Sequence, residues 1–396
     1  MFKKIDPKVD EAIQTLNMKD GPTRRRLLAG TGLASATMAA SGLLAACSSA
    51  STASGSTTKS GTTGAGDFPK TPPWQFWFVN HVTTNLFFVP TRLGYTDAAT
   101  LLGLPVPKWT GSTNSLVPQM TSAIETAISA KASGIATTVI TADSFTTPIG
   151  NAMNAGIPVI TYNADGIYKS DGTPVINTNR LCYVGQALYL SGQQLGERIL
   201  SFVDKGEIVI FIATPGSGNI QPRYDGAVAA IKASGKPITI TQVATGATTS
   251  VELAPEKAFL IGHKTIAGAF AVDAGSTELL SQALSAAGLV GKIPAGGFDL
   301  TPGTLTAINA GQLDFTIDQE PYLQGFLPVL YLYLFNLSGG LVRPPDTDTG
   351  LTFVDKSNVG PYLNTKTSYE GATGVSKPTL VPRSGAIKNP IATTST

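Results

Sequence analysis

The sequence predicts an α/β protein built of two doubly wound parallel-sheet lobes, with a ligand cleft between them. Three observations carry this. From Trp74 onward, short continuous apolar runs alternate with segments of helical period. The apolar runs lack the in–out alternation of a half-exposed strand, which marks parallel strands covered on both faces. After about residue 186 the alternation starts again, giving a second βα series.

In the first series, residues 74–79 read as a strand, 87–102 as a helix and 106–110 as a strand. Residues 116–132 read as a helix, because Met120, Ile124, Ala127 and Ile128 recur on one helical face. Gly134 introduces a strand over 135–140; a short helix through Met153 stops at Gly156, and 157–161 is the next strand. Cys182 falls in a strand-like context and reads as a small buried apolar residue. In the second series the helices are expected over 188–202, 223–233, 255–261, 277–287 and 305–309. The strands are expected over 207–212, 238–243, 268–272, 296–298 and 315–317.

The chain begins with targeting signals. Thr23-Arg24-Arg25-Arg26-Leu27-Leu28 reads as a twin-arginine export signal carried by Arg24 and Arg25. An apolar run follows and ends in Leu44-Ala45-Ala46-Cys47, which reads as a lipoprotein cleavage box with Cys47 lipidated. Residues 1–46 are thus expected to be a signal peptide. The protein is expected outside the cytoplasm, in the periplasm or on the outer face of the cell membrane, anchored to the membrane through its lipid. Residues 47–68 are almost entirely Ser, Thr, Gly and Ala after the Cys, too polar to offset their chain entropy, and read as a flexible spacer. Residues 373–396 read as a polar tail.

The net charge of +2 belongs to the leader, which carries seven Lys/Arg and four Asp/Glu. The remainder holds 21 basic and 22 acidic residues, so no basic patch and no nucleic-acid partner is implied. With Cys47 lipidated, Cys182 has no partner for an internal disulfide. The two His, His81 and His263, lie far from other ligands at metal spacing, so neither a metal nor a cofactor is expected.

Ligands of open α/β sheets sit beyond the carboxyl ends of the strands. In the first lobe those ends carry Asn80 and His81, then Thr141 and Asp143, then Asn163; in the second they carry Asp273, Asp299 and Gln319. Such side chains donate, accept or do both, which suits a neutral polyhydroxyl ligand. Phe87 and Phe88 offer a flat apolar wall for the C–H face of a sugar ring. Arg223, at a helix start, offers a fork for two hydroxyls. The bland alternative is that strand-end Asn and Asp merely cap the following helices.

Several strings in this order resemble the sugar-binding proteins of bacterial ABC transporters of the ribose-binding type, with the type I periplasmic binding protein fold. They are Asn85-Leu86-Phe87-Phe88, Gly156-Ile157-Pro158-Val159-Ile160-Thr161 and Pro222-Arg223-Tyr224-Asp225-Gly226. Further along come Phe270-Ala271-Val272-Asp273, Gly297-Phe298-Asp299-Leu300-Thr301-Pro302 and Thr316-Ile317-Asp318-Gln319. The resemblance covers residues 74–369. It implies hydroxyl binding by Asn85, ring stacking by Phe87 and Phe88, and polar contacts from Arg223, Asp273, Asp299 and Gln319. It also implies crossings between lobes near Gly185-Gln186, near Gln319-Glu320 and within 345–350. One lobe would comprise 69–185 plus 320–347, the other 186–319 plus 348–372.

One departure bears on the ligand. The ribose-binding type has an Asp-Arg pair after the Pro-Val-Ile-Thr strand, where this chain has Tyr162-Asn163-Ala164. His81 stands at the family's first-strand Ser, and Thr141 at its third-strand Asn. Another sugar, a polyol or a modified sugar therefore fits as well as ribose.

The function expected is a monomeric, non-enzymatic substrate-binding lipoprotein that delivers a sugar or polyol to an ABC permease. A chemosensory or signal-molecule receptor shares the same fold. An extracellular carbohydrate-active enzyme would use an acid pair such as Asp273 and Asp299, but no Gly-x-Ser-x-Gly elbow is present. A DNA-binding regulator of this architecture would begin with a helix-turn-helix, where this chain has its export signals.

Overall fold

In β1 (Phe76–Asn80), Phe76 and Phe78 pack into one apolar cluster while Trp77 and Val79 pack into another, so both faces of the strand are covered. The same division recurs in β8 (Gly206–Ile212): Ile208, Ile210 and Ile212 face one cluster, Val209 and Phe211 the other. Two sheets, each covered on both sides, account for the four clusters. In this computed structural model the described residues are 68–382, except 170, 364 and 375. The expected signal peptide, lipidated Cys47, spacer up to residue 67 and end of the polar tail lie outside them.

The first sheet is assembled from β1, β2 (Lys108–Gly111), β3 (Gly134–Val139), β4 (Val159–Asp165) and β7 (Tyr183–Gly185), with β5 (Ile167–Tyr168) and β6 (Pro174–Val175) a separate small ribbon. The intervening helices are α1 (Val89–Leu102), α2 (Val117–Ser129) and α3 (Thr146–Asn154). The second part of the chain runs α4 (Leu188–Leu200), β8, α5 (Gln221–Ala233), β9 (Ile238–Ala244), α6 (Thr249–Gly262), β10 (Gly268–Ala271) and α7 (Ala274–Ala287). It continues through β11 (Ala295–Phe298), α8 (Pro302–Asn309), β12 (Phe315–Asp318), α9 (Pro321–Leu337), β13 (Thr347–Asp348) and β14 (Thr352–Asp355).

Strand order is β13-β7-β4-β3-β1-β2 in one sheet and β14-β12-β11-β10-β8-β9 in the other. Within these two sheets all pairs are parallel except β12 with β14. The chain passes between sheets after β7, returns after β12 so that α9 packs on α1, and passes again between β13 and β14. The α/β class and the two-lobed, doubly wound sheets are those read from the sequence.

Several elements differ from the sequence reading. The helix expected from residue 87 is interrupted: Leu86–Phe88 is a 3-10 turn, and α1 starts at Val89 with Pro90 in its first turn, where a missing N–H costs nothing. α6 starts at Thr249, six residues before Pro255, which lies inside it. β4 runs on to Asp165 past a register shift, because Asn163 adopts φ +62°. α9 has no counterpart in the sequence reading. Its sequence PYLQGFLPVLYLYLFNL is aromatic and apolar around most of its circumference, so it lacks the polar face by which a surface helix declares its period. No helix among the described residues is long and apolar enough to cross a membrane.

Cys182 is fully buried beside Tyr162 and Val184 in the first lobe's core, and burial pushes its thiol up to about 12. It is the inert apolar residue that its context suggested.

Candidate functional site

The carboxyl ends of both sheets face one cavity of about 60 Å3. On that scale ~10–15 Å3 suffices to admit one water, so the cavity has room for several. It is lined by nine of the ten residues anticipated as ligand contacts: His81, Asn85, Phe87, Phe88, Asn163, Arg223, Asp273, Asp299 and Gln319.

His81 directly follows β1. Its Nε2 lies 3.2 Å from Asn219 Nδ2 and its Nδ1 lies 3.2 Å from Thr138 Oγ1. An amide nitrogen only donates, so Nε2 is the acceptor and Nδ1 carries the proton to Thr138. Burial lowers the His81 pKa to about 4, which keeps the ring neutral. The Asn219 contact joins the two lobes, and Gly218 N donates to Ile140 O at 2.8 Å beside it.

Asn85 caps the 3-10 turn: its Oδ1 accepts from Phe87 N at 2.9 Å, which leaves the Nδ2 hydrogens for other acceptors. The capping and ligand readings of this residue are thus compatible. Phe87 and Phe88 meet edge to face, with centroids 4.7 Å apart and planes at 79°. This corrects the flat wall expected from sequence: adjacent residues on a tight turn splay their rings, and the pair forms a corner.

In β4, Tyr162 and Ala164 turn into the cores on opposite faces, while Asn163 lines the cavity. Its left-handed backbone makes this possible, a conformation that Asn tolerates better than most residues. Asn163 Nδ2 donates to Gln324 Oε1 at 3.1 Å.

Arg223 lies in the first turn of α5 and is 3 % exposed. Its depth comes from helix packing: a Cβ on Gly192 would fall 2.1 Å from Arg223 O, so only glycine lets α4 approach α5 this closely. The guanidinium stacks 4.3 Å above the Phe298 ring, and Nη1 donates to Val272 O at 3.2 Å. Nε is buried with no protein partner, a donor left for a ligand.

Asp273 caps α7. Its Oδ1 accepts from Ser276 N at 2.9 Å and its Oδ2 from Ala213 N at 2.8 Å. Asp299 follows β11 with φ +78°, and its Oδ1 accepts from Gln319 Nε2 at 2.6 Å. Burial pushes Asp299 up to about 6, against the opposing pull of Arg223 and of the Gln319 hydrogen bond. The Arg223 cation thus faces two carboxyls, so the cleft is not built for an anion.

Thr141 is the exception among the expected contacts. It does not line the cavity, and its hydroxyl has no partner. β3 ends at Val139, and Thr138 is the residue that reaches the site, through His81. Asn80 is spent internally, donating to Tyr162 Oη at 2.8 Å, and Asp143 bonds Asn177 at an exposed position. The sequence reading missed Asn219, Gln324 and Glu252. Asn219 lies in the loop after β8, where the strand-end rule points; Gln324 and Glu252 lie on helices, where no such rule applies. Among the described residues, no group of three His, Cys, Asp or Glu is placed to hold a metal ion.

Comparison with known proteins places this geometry in context. Residues 76–335 match the model of the periplasmic binding protein domain. The xylose/arabinose-binding protein XylF of Sulfolobus acidocaldarius is 46 % identical over 332 residues, covering 81 % of this chain and 80 % of the relative. Among solved structures, an ABC transporter solute-binding protein of Burkholderia graminis in complex with D-arabinose superposes with a TM-score of 0.66 at 24 % identity. It covers 74 % of this chain and 98 % of its own. A carbohydrate transporter protein of Acidothermus cellulolyticus in complex with myo-inositol gives a TM-score of 0.62 at 27 % identity, with coverage of 74 % and 97 %.

Proposed function

This chain belongs to the periplasmic binding protein family, and from that premise we propose that it is the sugar receptor of an ABC importer, with an aldopentose as its ligand. The observation that carries the reading is the cavity itself. A buried Arg223 with a free Nε, carboxyls at Asp273 and Asp299, and amides at Asn85, Asn163 and Gln319 surround an apolar corner of Phe87 and Phe88. Donors and acceptors spread around a small space suit vicinal hydroxyls. Xylose and arabinose are the first candidates, because the relative that is 46 % identical over 332 residues is a xylose/arabinose-binding protein.

The three chain segments between the sheets serve as the hinge, and the ligand is buried by closure of the lobes. Contacts such as His81 with Asn219 form in the closed state, and binding energy shifts the population towards it. The closed monomer then docks on a membrane permease. Family membership implies an extracytoplasmic location. The twin-arginine route through Arg24 and Arg25, and a lipid anchor at Cys47, complete the reading. No catalytic step is part of it.

The test is calorimetric titration and thermal shift of the detergent-solubilised full chain against pentoses, hexoses, polyols and amino acids. A ligand at a hundred times its dissociation constant adds about 2.7 kcal/mol of stability, a rise of a few degrees in Tm. Binding of a pentose is the expected result. An amino acid that binds while no sugar or polyol does would overturn the ligand class.

A further inference from the structure

The cavity holds a third carboxyl. Glu252, in the first turn of α6, is 2 % exposed and lines the cavity. Its Oε2 lies 3.1 Å from Ser276 Oγ; the same hydroxyl lies 3.1 Å from Asp273 Oδ2 and 2.8 Å from Thr245 Oγ1. Ser276 has one hydrogen to give, so it can satisfy only one of its two carboxyl neighbours as an anion. The other contact calls for a proton on a carboxyl.

The surroundings decide which carboxyl holds it. Burial pushes the Asp273 carboxyl up, but two backbone N–H bonds and the Arg223 cation work against that push and favour its charged form. Glu252 has neither. It stands one helical turn from Glu256, which is fully buried with both oxygens unpartnered. Glu278 faces it from α7 and adds a further like charge. Asp299 and Arg223 stand across the cavity.

We propose that Glu252 is a further ligand contact, bound to the sugar as the neutral acid of an acid–carboxylate pair with Asp273, so that tight binding requires one proton at this pair. The inference rests on the sugar-receptor reading of the same cavity. Burial, and then the charge of Asp273, push Glu252 up to about 9, so the proton is present through neutral pH. Above that range two anions stand side by side at the ligand, with no second cation to offset them. Glu256, pushed up to about 10 for the same reasons, stays neutral over the same range.

The experiment is calorimetric titration of the full chain with D-xylose from about pH 6 to about pH 10, in wild type and in Glu252→Gln. Expected for the wild type is a Kd that is flat below about pH 9 and rises about tenfold per pH unit above it, the slope of one linked proton. Gln is neutral at every pH and keeps the shape, so the variant should lose the alkaline slope, whatever affinity it retains near pH 6. A wild-type Kd unchanged up to about pH 10, or a variant that keeps the slope, overturns the role of Glu252 and leaves the receptor reading standing. If Glu252→Gln does not fold, the wild-type profile decides alone, with its melting curve at each pH separating unfolding from weakened binding. Failure of the wild type to bind D-xylose at any pH overturns the pentose reading and this inference with it.

Discussion

Gln319 Nε2 donates to Asp299 Oδ1 at 2.6 Å, so the segment that leads from the second sheet back to the first is tied to a carboxyl of the cleft. The bond continues outward: Gln324 Nε2 lies 3.2 Å from Gln319 Oε1 and 3.0 Å from Gln319 O, and its own Oε1 accepts from Asn163. One chain of amides thus connects a cavity-lining residue of the second lobe with one of the first. A ligand that orders Asp299 and Asn163 also orders the crossing between them.

Removing the Asp299 carboxyl should therefore weaken the ligand more than the fold. Asp299→Ala leaves ligand hydroxyls without a buried acceptor, a cost of about 2–3 kcal/mol in affinity. The unliganded Tm should hardly move, because a desolvated carboxyl is lost with its one side-chain hydrogen bond. Titration calorimetry beside a melting curve separates the two effects; an unchanged Kd would remove Asp299 from the site.

Arg223→Lys keeps the charge and loses the fork. The ammonium cannot present Nε and Nη donors in one plane or stack on Phe298 as the guanidinium does. Pentose affinity should fall about tenfold to a hundredfold, as expected for losing a charge-assisted pair worth ~1.5–3 kcal/mol. A Kd within twofold of wild type would show that the Arg223 fork makes no contact with the ligand.

Gly192→Ala tests whether the helix contact sets the depth of Arg223. The added methyl would fall 2.1 Å from Arg223 O, so α4 and α5 must separate. Overpacking of this kind costs about 1–3 kcal/mol of stability, and the displaced guanidinium should raise the Kd as well. A lowered Tm with unchanged affinity would mean that Arg223 is held by its own contacts with Phe298 and Val272.

The buried acids give the stability a sign with pH. Glu252, at about 9, and Glu256, at about 10, are raised above their ordinary values, so the folded chain holds protons that the unfolded chain has released. Their contribution is complete below the ordinary glutamate range and is lost as pH rises through the folded values. His81, lowered to about 4, acts in the opposite sense and only as pH falls from 6.5 towards that value. The unliganded Tm should thus fall by a few degrees per pH unit between neutrality and about pH 9. A Tm that rises over that interval in differential scanning calorimetry would show that these acids are ionised in the fold.

The sequence by itself determined the class of the fold and most of the cavity's polar lining. Continuous apolar runs such as Glu207-Ile208-Val209-Ile210-Phe211-Ile212 admit few arrangements other than a strand buried on both faces, and parallel connections place every strand's carboxyl end on one edge. His81, Asp273 and Asp299 were legible for that reason, since each follows a strand, whereas Asn163 lies within β4 and reaches the cavity through the register shift there. α9 was not, since a helix apolar around most of its surface shows no period. Thr141 was misplaced because one residue more or less in β3 decides whether a side chain reaches the cavity. Only the tertiary structure decided that Phe87 and Phe88 form a corner, that His81 bonds to Asn219 of the other lobe, and that Glu252 reaches the site from a helix. Those relations join residues far apart in the chain, and packing fixes them through distances and angles that local pattern does not encode.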